Sequence, residues 1–368
     1  MKLIFFCRDI SDCGGIQQTT CNLISRLMEH EEKLEVKVVS LYHKNKSCFF
    51  EIAEEAELHT LFDNFINLHF AENRIRKKLN EFLSHEDFDF LIVQGCEYAN
   101  YIPDKFWEKN VIVCEHEYFG FGHYQGIHYR GVRKALKKAS AIVTVTGLDA
   151  NDFKNKAKRD IPIISIYNSL CANNADTLVN YNLSSKTIVS CGSLVKLKGF
   201  DRAILIAKDV LNKHLDWKWE IYGDGVLRDE LELLIDKNNL NGKVILKGYE
   251  TDKKVIYGDK AFLVVTSDFE GFGMVLIEAM QYKLPIVSFD IKYGPKEIVE
   301  DGFTGKLIEA FNIKKMSDYL DKFIEDNTLR EKFSNNTTVS ITRFEATEIV
   351  GKWMSLFSLI INRNMEEK

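Results

Sequence analysis

The segment Ala261-Phe-Leu-Val-Val-Thr-Ser-Asp-Phe-Glu270-Gly-Phe-Gly-Met-Val-Leu-Ile-Glu278-Ala-Met280 predicts a buried strand, a glycine-rich loop and an apolar helix. If residues 271–273 open the helix, Glu270 lies just before its N-terminus and Glu278 about one turn inside it. Free backbone N–H groups and the dipole at a helix N-terminus favour an anion. A diphosphate bound there would place a sugar near Glu270 and a nucleoside near Glu278, which is the outline of a nucleotide-sugar site.

Short apolar runs alternate with amphipathic segments on both sides of this segment, which is typical of parallel sheets with helices on both faces. The predicted strands cover residues 3–7, 35–41, 90–94, 111–115, 141–146, 163–167, 187–192, 218–222, 243–247, 261–266 and 285–289. The predicted helices include residues 16–29, 75–83, 130–140, 313–324 and 343–361. The pattern restarts near residue 187, and 368 residues usually exceed one core, so we expect two α/β domains.

The proposed division of the chain follows from its polar middle. We expect an N-terminal domain over residues 1–170, a linker over 171–185, a second domain over 186–342 and a C-terminal helix over 343–368. In open α/β sheets a ligand lies at the carboxyl ends of the strands, so the loops that follow strands should carry the chemistry.

Composition excludes several classes of protein. The chain has 45% hydrophobic and 28% charged residues, and its net charge of -5 gives no footprint for nucleic-acid binding. Its eight cysteines contain no C-x-x-C pair, which indicates reduced thiols and neither a disulfide framework nor a zinc site. Residues 1–8 predict a first strand and no signal peptide, and no apolar run reaches the ~20 residues that span a bilayer. Any membrane association is therefore expected to be peripheral.

Two candidate positions follow strands in the first half. Gly14 and Gly15 follow the first strand, where they let backbone N–H groups approach a phosphate or simply form a tight turn. His116 ends another strand and can donate to a sugar hydroxyl or serve as a structural histidine. Its neighbours Glu115 and Glu117 favour the protonated imidazole.

Three further loops follow strands in the second half. Cys191-Gly-Ser-Leu-Val-Lys196-Leu-Lys198-Gly199-Phe200 offers two cations to phosphate oxygens, or is a solvated basic loop. Gly223 and Tyr249 follow the next two strands, in loops that can hold a flat base or be ordinary turns.

A glycine-rich stretch in the first half follows a strand but does not match the dinucleotide-binding fingerprint, which disfavours a nicotinamide-dependent dehydrogenase. Gly120-Phe-Gly122-His-Tyr-Gln-Gly126 follows a strand, but its spacing differs from the dinucleotide fingerprint and no acid follows about 20 residues on. No apolar helix is expected to begin at Gly126. We expect a flexible lid or an acceptor loop instead.

In order and together, these motifs resemble those of the retaining GT-B glycosyltransferases of glycosyltransferase family 4. The matching motifs are Gly14-Gly15, His116, Gly192-Ser-Leu-x-x-x-Lys198-Gly199-Phe, Tyr222-Gly-Asp-Gly225, Gly248-Tyr249, Glu270-Gly-Phe-Gly-x-x-x-x-Glu278-Ala-Met, Leu284-Pro-Ile-Val and Glu297-Ile-Val-x-Asp-Gly-x-x-Gly305. The resemblance covers nearly the whole chain and is densest over residues 188–307. It implies the GT-B fold, in which two Rossmann-like α/β domains face each other across a cleft and the C-terminal helix packs back on the N-terminal domain.

The resemblance also implies roles for individual residues. Glu270 would contact the donor sugar near the reacting carbon, Lys198 would neutralise the leaving diphosphate, and His116 would touch the donor sugar near the acceptor entrance. These three are the predicted catalytic residues. Glu278 would bind the ribose diol. The predicted donor-binding residues are Gly15, Gly192, Ser193, Lys198, Gly223, Tyr249, Gly271, Phe272, Gly273, Met274 and Glu278.

One position departs from the family pattern. Arginine usually follows the glycine of the Gly192 loop, whereas this chain has Ser193, which removes a bidentate phosphate clamp. Lys196 and Arg202 are candidates to replace it.

The expected chemistry needs neither a cofactor nor a metal, because the Lys198 cation and the helix N-terminus stabilise the leaving group. Retention would follow from front-face attack, with double displacement through Glu270 as the formal alternative.

The sequence gives fewer indications of the acceptor than of the donor. A basic helix face is predicted from Arg130, Arg133, Lys134, Lys137 and Lys138, with Lys77 and Lys78 in another segment. It could draw the protein to the anionic inner surface of the plasma membrane and to a polyprenyl-diphosphate-linked saccharide, or be a solvated helix face.

Our leading hypothesis is a cytoplasmic, membrane-peripheral retaining hexosyltransferase. It would move a hexose or N-acetylhexosamine from a UDP-sugar to a lipid-linked acceptor in surface polysaccharide synthesis, such as lipopolysaccharide O-antigen or capsule. The alternatives are a soluble glucan or small-glycoside transferase and a catalytically silent nucleotide-sugar or glycan-binding GT-B module, for which Ser193 is the motivating residue.

Overall fold

A computed structural model describes residues 1–68, 70–119, 126–170 and 180–366. The chain divides into two compact units. Unit 1 comprises Met1–Ala172 and Phe344–Lys368, and unit 2 comprises Asn173–Arg343. Each unit is an α/β layer structure built around its own parallel sheet.

The sheet of unit 1 contains seven strands among the described residues, paired in parallel in the order β3-β2-β1-β4-β5-β6-β7. The strands are β1 Lys2–Cys7, β2 Glu35–Ser40, β3 Glu57–Thr60, β4 Phe90–Gln94, β5 Asn110–Glu115, β6 Ala141–Thr144 and β7 Ile163–Ser165. The helices are α1 Gly15–His30, α2 Glu72–Ser84, α3 Gly126–Lys138, α4 Gly147–Lys156 and, at the end of the chain, α12 Ala346–Glu366. The central strands are continuous apolar runs because helices cover both faces of the sheet.

The last helix, α12, packs on the sheet of unit 1. Its buried stripe includes Ile349, Trp353 and Phe357, which belong to the same apolar core as β1 and β4. The rings of Phe357 and Phe90 are 4.6 Å apart. The predicted return of the C-terminal helix to the N-terminal domain is confirmed.

The sheet of unit 2 contains six strands among the described residues, paired in parallel in the order β10-β9-β8-β11-β12-β13. The strands are β8 Thr187–Cys191, β9 Lys218–Tyr222, β10 Val244–Gly248, β11 Phe262–Val265, β12 Ile286–Asp290 and β13 Gly305–Glu309. The helices are α5 Phe200–Leu211, α6 Arg228–Lys237, α7 Lys253–Tyr257, α8 Met274–Gln281, α9 Pro295–Ile298, α10 Ile313–Glu325 and α11 Asn327–Ser340. The prediction of two Rossmann-like α/β domains is confirmed.

The sequence prediction missed two strands and misplaced one helix start. β3 and β13 lie at sheet edges and are largely exposed or half-buried, so neither forms the apolar run by which a buried strand is recognised. The helix predicted to start at residue 130 begins at Gly126, and it is amphipathic, with Val132 and Ala135 buried.

Two predicted loops lie partly outside the described residues. Residues 120–125 of the expected lid or acceptor loop and residues 171–179 of the expected linker belong to this part of the chain. The rest of the expected linker bonds to unit 2. The Tyr181 hydroxyl donates to the Ala261 carbonyl at 2.6 Å, and the Asn182 amide donates to Asp259 at 2.8 Å.

Candidate functional site

The loop after β11 ends in a glycine that opens α8. Gly273, at φ 91°, is the N-cap, and this cap makes no side-chain hydrogen bond to the helix. L side chains rarely adopt this positive φ, so the turn needs glycine here. The first N–H groups of a helix have no acceptor within the helix, and α8 therefore presents donors and a positive dipole end at this point.

Glu270 lies before this helix in a buried cluster with a cation and a hydroxyl. Lys198 donates to both of its carboxylate oxygens, at 2.7 and 2.8 Å, and the Ser267 hydroxyl donates to Oε1 at 2.7 Å. Only 7% of Glu270 is exposed. The ammonium has three donors, and within the described chain two of its contacts go to Glu270. The third donor makes no hydrogen bond among the described residues.

Contacts between loops hold Lys198 and Glu270 next to each other. The Thr266 hydroxyl donates to the carbonyls of Lys198 and Gly199, at 3.2 and 2.9 Å. On the other side of Glu270, a Cβ added to Gly294 would lie 2.7 Å from the Glu270 Cβ. The carboxylate is thus enclosed by the loops that follow β8, β11 and β12.

The loops after β8, β9 and β10 meet at neighbouring glycines. The N–H of Gly192 donates to the Tyr222 carbonyl at 2.9 Å, and that of Gly223 donates to Gly248 at 2.8 Å. A Cβ on Gly223 would lie 2.0 Å from the Gly192 carbonyl oxygen, which only glycine permits. Tyr249 follows directly and is 56% exposed, so an aromatic ring stands at the edge of this loop cluster.

Glu278 forms a second buried ionic cluster. It lies on α8, is 4% exposed, and its oxygens lie 2.8 Å from the Lys253 ammonium and 2.9 Å from the Tyr257 hydroxyl, which donates to it. Sequence reasoning missed both partners. A signal was present, since Lys253 and Tyr257 are four positions apart on α7 and so share one helix face.

Cys191 lies at the end of β8 beside this second cluster. Burial, together with a smaller effect of the nearby charge of Glu278, raises the pKa of the Cys191 thiol to about 11. The thiol is therefore protonated at neutral pH and contributes no charge to the site.

His116 lies in unit 1, at the end of β5. Its Nε2 is 2.6 Å from Oε1 of Gln94, which sequence reasoning also missed. Burial lowers the pKa of His116 to about 4, with a smaller opposing effect of Glu115. The expectation that its acidic neighbours favour a charged imidazole is wrong, because Glu115 instead pairs with His128 at 2.7 Å.

Gly15, also in unit 1, is the first residue of α1 after the N-cap Gly14. A Cβ added to Gly15 would meet no atom within 4 Å, so packing does not require glycine there. Gly15 and His116 thus belong to one unit, while the other predicted site residues belong to unit 2.

Neither cation proposed to replace the missing arginine is free in the described structure. Lys196 pairs with Asp201 at 2.7 Å. Arg202 donates to Asp268 and to the Thr266 carbonyl, and its guanidinium lies 5.3 Å from the Phe311 ring. Ser193 itself is exposed. Lys196 and Arg202 therefore pair with nearby residues of unit 2.

The predicted basic helix face is smaller than its sequence indicates. Lys134 is half-buried, donates to the carbonyls of Asn100 and Ile102 at 3.1 and 3.0 Å, and burial lowers its pKa to about 8. Its inclusion in an exposed cationic face is wrong. Arg133 and Lys137 are exposed on α3.

Neither a metal site nor a membrane-spanning helix occurs among the described residues. They contain no group of three or more His, Cys, Asp or Glu side chains arranged to hold a metal ion. None of the described helices combines the length and apolar character that crossing a bilayer needs.

Residues 179–339, nearly all of unit 2, match the family described as "Glycosyl transferases group 1". Among curated relatives, a poly(ribitol-phosphate) alpha-N-acetylglucosaminyltransferase of Staphylococcus aureus is 33% identical over 60% of this chain and 44% of its own length. An uncharacterized glycosyltransferase of Haemophilus influenzae is 27% identical over 96% of this chain and 99% of its own.

A third relative is the N-acetylgalactosamine-N,N'-diacetylbacillosaminyl-diphospho-undecaprenol 4-alpha-N-acetylgalactosaminyltransferase of Campylobacter jejuni. It is 34% identical over 50% of this chain and 50% of its own length. The chain thus spans about half or less of the length of two of these three relatives.

Solved structures show the same fold. A TarM mutant of Staphylococcus aureus in complex with Fondaparinux, alpha-GlcNAc-glycerol and UDP has a TM-score of 0.77, with 17% identity over 97% of this chain and 99% of that one. Anabaena HepE in complex with UDP and glucose has a TM-score of 0.75, with 18% identity over 97% of this chain and 99% of that one.

Proposed function

We propose a reaction for this chain, which has the GT-B fold and whose residues 179–339 match the family described as "Glycosyl transferases group 1". It transfers a hexose or N-acetylhexosamine from a UDP-sugar to a saccharide acceptor, with retention of the anomeric configuration and without a metal ion. The observation that carries this proposal is the buried cluster of Lys198, Glu270 and Ser267 before the N-terminus of α8.

The leaving group is a nucleoside diphosphate, whose negative charge grows as the bond to the sugar breaks. The remaining donor of Lys198 and the first N–H groups of α8 stabilise that charge without reorganisation, because the Glu270 contacts already hold the ammonium in place. Glu270 faces the sugar, where its negative charge stabilises the oxocarbenium-like transition state. The departing phosphate oxygen accepts the proton of the attacking hydroxyl, so no separate base is required.

The nucleoside is held at the other end of the same loop cluster. Glu278 binds the ribose diol and keeps its orientation through Lys253 and Tyr257. The exposed ring of Tyr249 provides a face for the base. Two solved structures with the same fold contain bound UDP, which supports uracil as this base.

We propose a lipid-linked saccharide of surface polysaccharide synthesis as the acceptor, on a polyprenyl diphosphate. The undecaprenol-linked substrate named for the Campylobacter jejuni relative supports this choice. The protein would meet such an acceptor at the inner face of the plasma membrane as a peripheral protein.

Purified protein incubated with a panel of UDP-sugars and lipid-linked saccharides tests the reaction. We expect UDP release that depends on acceptor and persists in EDTA, and a product with the anomeric configuration of the donor by NMR. Removal of one group that stabilises the transition-state charge costs about 100-fold or more in kcat. Lys198→Ala should lose at least that much.

A matched control lies in the same loop. Lys196→Ala removes an exposed cation that pairs with Asp201, and it should leave turnover within about twofold. Equal losses in both variants would show that general positive charge, and not the Lys198 contact, supports turnover. No turnover with any donor, together with unchanged UDP binding in Glu278→Ala, would exclude the transferase.

A catalytically silent nucleotide-sugar-binding module is a second candidate. Ser193 favours it, because the exposed hydroxyl cannot form the two parallel bonds of an arginine and both nearby cations are paired. This candidate predicts thermal stabilisation by UDP-sugars without turnover of any acceptor.

A further inference from the structure

Arg8 is the first residue after β1, at the carboxyl edge of the unit 1 sheet. β1 lies between β2 and β4, so Arg8 stands away from both ends of the sheet, on the edge where open α/β sheets bind ligands. The backbone N–H groups of Leu41 and Tyr42, which follow β2, donate to the Arg8 carbonyl at 3.0 and 3.4 Å. These backbone contacts fix the point from which the Arg8 side chain extends.

One hydrogen bond and two aromatic rings hold the guanidinium of Arg8. Its Nε donates to the Tyr42 hydroxyl at 2.8 Å. Its central carbon lies 5.9 Å from the centre of the Tyr42 ring and 6.0 Å from that of the Phe65 ring. The two rings pack edge to face with their centres 5.4 Å apart. Because cation–π contacts and the bond through Nε restrict its rotation, the guanidinium is oriented before any ligand binds.

The outer nitrogens of this guanidinium have no counter-ion among the residues that the structure describes. Nη1 and Nη2 carry four N–H donors, and within those residues they make neither a hydrogen bond nor an ion pair. The two acids of the same loop bind elsewhere. Asp9 is buried and accepts from Ser11 and from the backbone of Lys44, and Asp12 pairs with the Lys44 ammonium at 3.3 Å. Arg8 thus presents an exposed cation whose charge no neighbouring carboxylate neutralises.

We propose that Arg8 binds a phosphate group of the acceptor through two parallel N–H bonds from Nη1 and Nη2. Tyr42 occupies Nε, so the edge between the two outer nitrogens is the one left for a ligand. That edge matches two oxygens of one phosphate. Anion binding follows from unit 1 alone, whereas its assignment to the acceptor rests on the proposed function, in which Lys198 of unit 2 serves the donor diphosphate.

The ring of Phe65 gives this anion site an apolar side. It borders the guanidinium and is 66% exposed. The first isoprene unit of a lipid-linked diphosphate could pack on this ring while its phosphate binds Arg8. A phosphate elsewhere in the acceptor would use Arg8 without the ring, so Phe65 distinguishes the two sources of the same group.

NMR of the full chain labelled with 15N-arginine measures anion binding without turnover. Inorganic pyrophosphate is titrated at pH 7.5 in excess UDP, which fills the proposed donor site, and again in Lys198→Ala, which removes its cation. Arg8→Gln identifies the Arg8 Nε–H signal by its loss. We expect this signal to shift until it saturates. Arg74, exposed on α2 with its guanidinium 4.9 Å from the Phe62 ring, should not shift. An unmoved Arg8 signal, or equal shifts of both arginines, would overturn the inference.

Geranyl diphosphate in place of pyrophosphate identifies the source of the phosphate. If the phosphate belongs to a lipid-linked diphosphate, geranyl diphosphate should bind about tenfold more tightly, and Phe65→Ala should remove this difference. Equal binding of the two probes would assign a phosphate elsewhere in the acceptor. Both results support the anion site, whereas a shift that persists in neither probe contradicts it.

Kinetics connect the anion site to the reaction. Arg8→Gln should raise the KM of a phosphate-bearing acceptor at least tenfold and leave the KM of the donor unchanged. Arg8→Lys keeps the charge without the planar fork and should recover only part of the loss. Arg74→Gln is the matched control, because it removes an exposed arginine beside an aromatic ring of the same unit, and it should leave both constants within about twofold.

A phosphate-free analogue of the acceptor separates recognition from a structural role. The wild-type protein and Arg8→Gln should use this analogue equally well, since the group that Arg8 binds is absent. Equal losses of Arg8→Gln on both acceptors would show that Arg8 only supports the fold, and would overturn the inference. A saturable Arg8 shift in a protein without turnover would contradict the proposed function alone. Turnover that depends on neither Arg8 nor the acceptor phosphate would contradict this inference alone.

Discussion

Ser193 occupies an exposed position in the loop that carries Lys198, and the two cations proposed to replace an arginine there, Lys196 and Arg202, bind other residues. The buried pair of Lys198 and Glu270 joins residues 72 positions apart. The resemblance assigned a role to each of them, but their contact, and that of Ser267, depends on how the loops pack. The partners of Glu278 escaped prediction for the same reason, because Lys253 and Tyr257 reach it only through the packing of α7 against α8.

Ser193→Arg restores the residue type that related sequences carry. A guanidinium can form two charge-assisted bonds to a phosphate, and a net gain of about 1.4 kcal/mol from them corresponds to a factor of ten in binding. We expect KM for the donor to fall about tenfold and kcat to stay equal or rise, as measured by initial rates over a range of UDP-sugar concentrations. Ser193→Lys, a point charge without the planar fork, should give a smaller gain. Loss of activity in the arginine variant would show that this loop binds the donor differently.

At the carboxyl edge of the unit 2 sheet, the loops are shaped by close contacts between their backbones. The apolar pattern of a sequence does not reveal such contacts. The doubled β/α pattern predicted both sheets, because buried parallel strands are apolar along their whole length. It did not predict β3 or β13, whose exposed edge positions impose no such pattern. Nor did it predict that Gly192 and Gly223 touch.

Gly223→Ala tests this element. The residue has φ 129°, and its new Cβ would lie 2.0 Å from a backbone oxygen, so the loops after β8 and β9 must separate. We expect a loss of about 2–5 kcal/mol in the free energy of unfolding, measured by urea denaturation, together with weaker UDP binding. Gly351→Ala, in the open middle of α12, should instead stabilise the protein by up to about 1 kcal/mol. Equal stability of the two variants would contradict the close approach.

At the scale of the whole molecule, unit 1 carries the surface proposed to meet a membrane. The net charge of -5 opposes an anionic bilayer, so any attraction has to come from a local patch. Three of the five cations predicted for the face on α3 make contacts within unit 1 instead. Lys134 caps carbonyls inside unit 1, Lys138 pairs with Asp104 at 2.6 Å, and Arg130 pairs with Glu72 at 3.2 Å. Arg133 and Lys137 are the other two cations of this face on α3, and both are exposed.

Sedimentation with vesicles tests whether this smaller patch binds a membrane. Each cation near an anionic surface contributes about 1 kcal/mol, so Arg133→Glu combined with Lys137→Glu should weaken binding to phosphatidylglycerol vesicles about 30-fold or more. The matched control reverses two exposed lysines of unit 2, Lys237→Glu with Lys332→Glu, which makes the same change in net charge. If both double variants lose binding equally, net charge and not this face controls association. Lys134→Glu is unsuitable for this purpose, because it would place a carboxylate against the carbonyls of Asn100 and Ile102 and unfold the helix contact before it changed the surface.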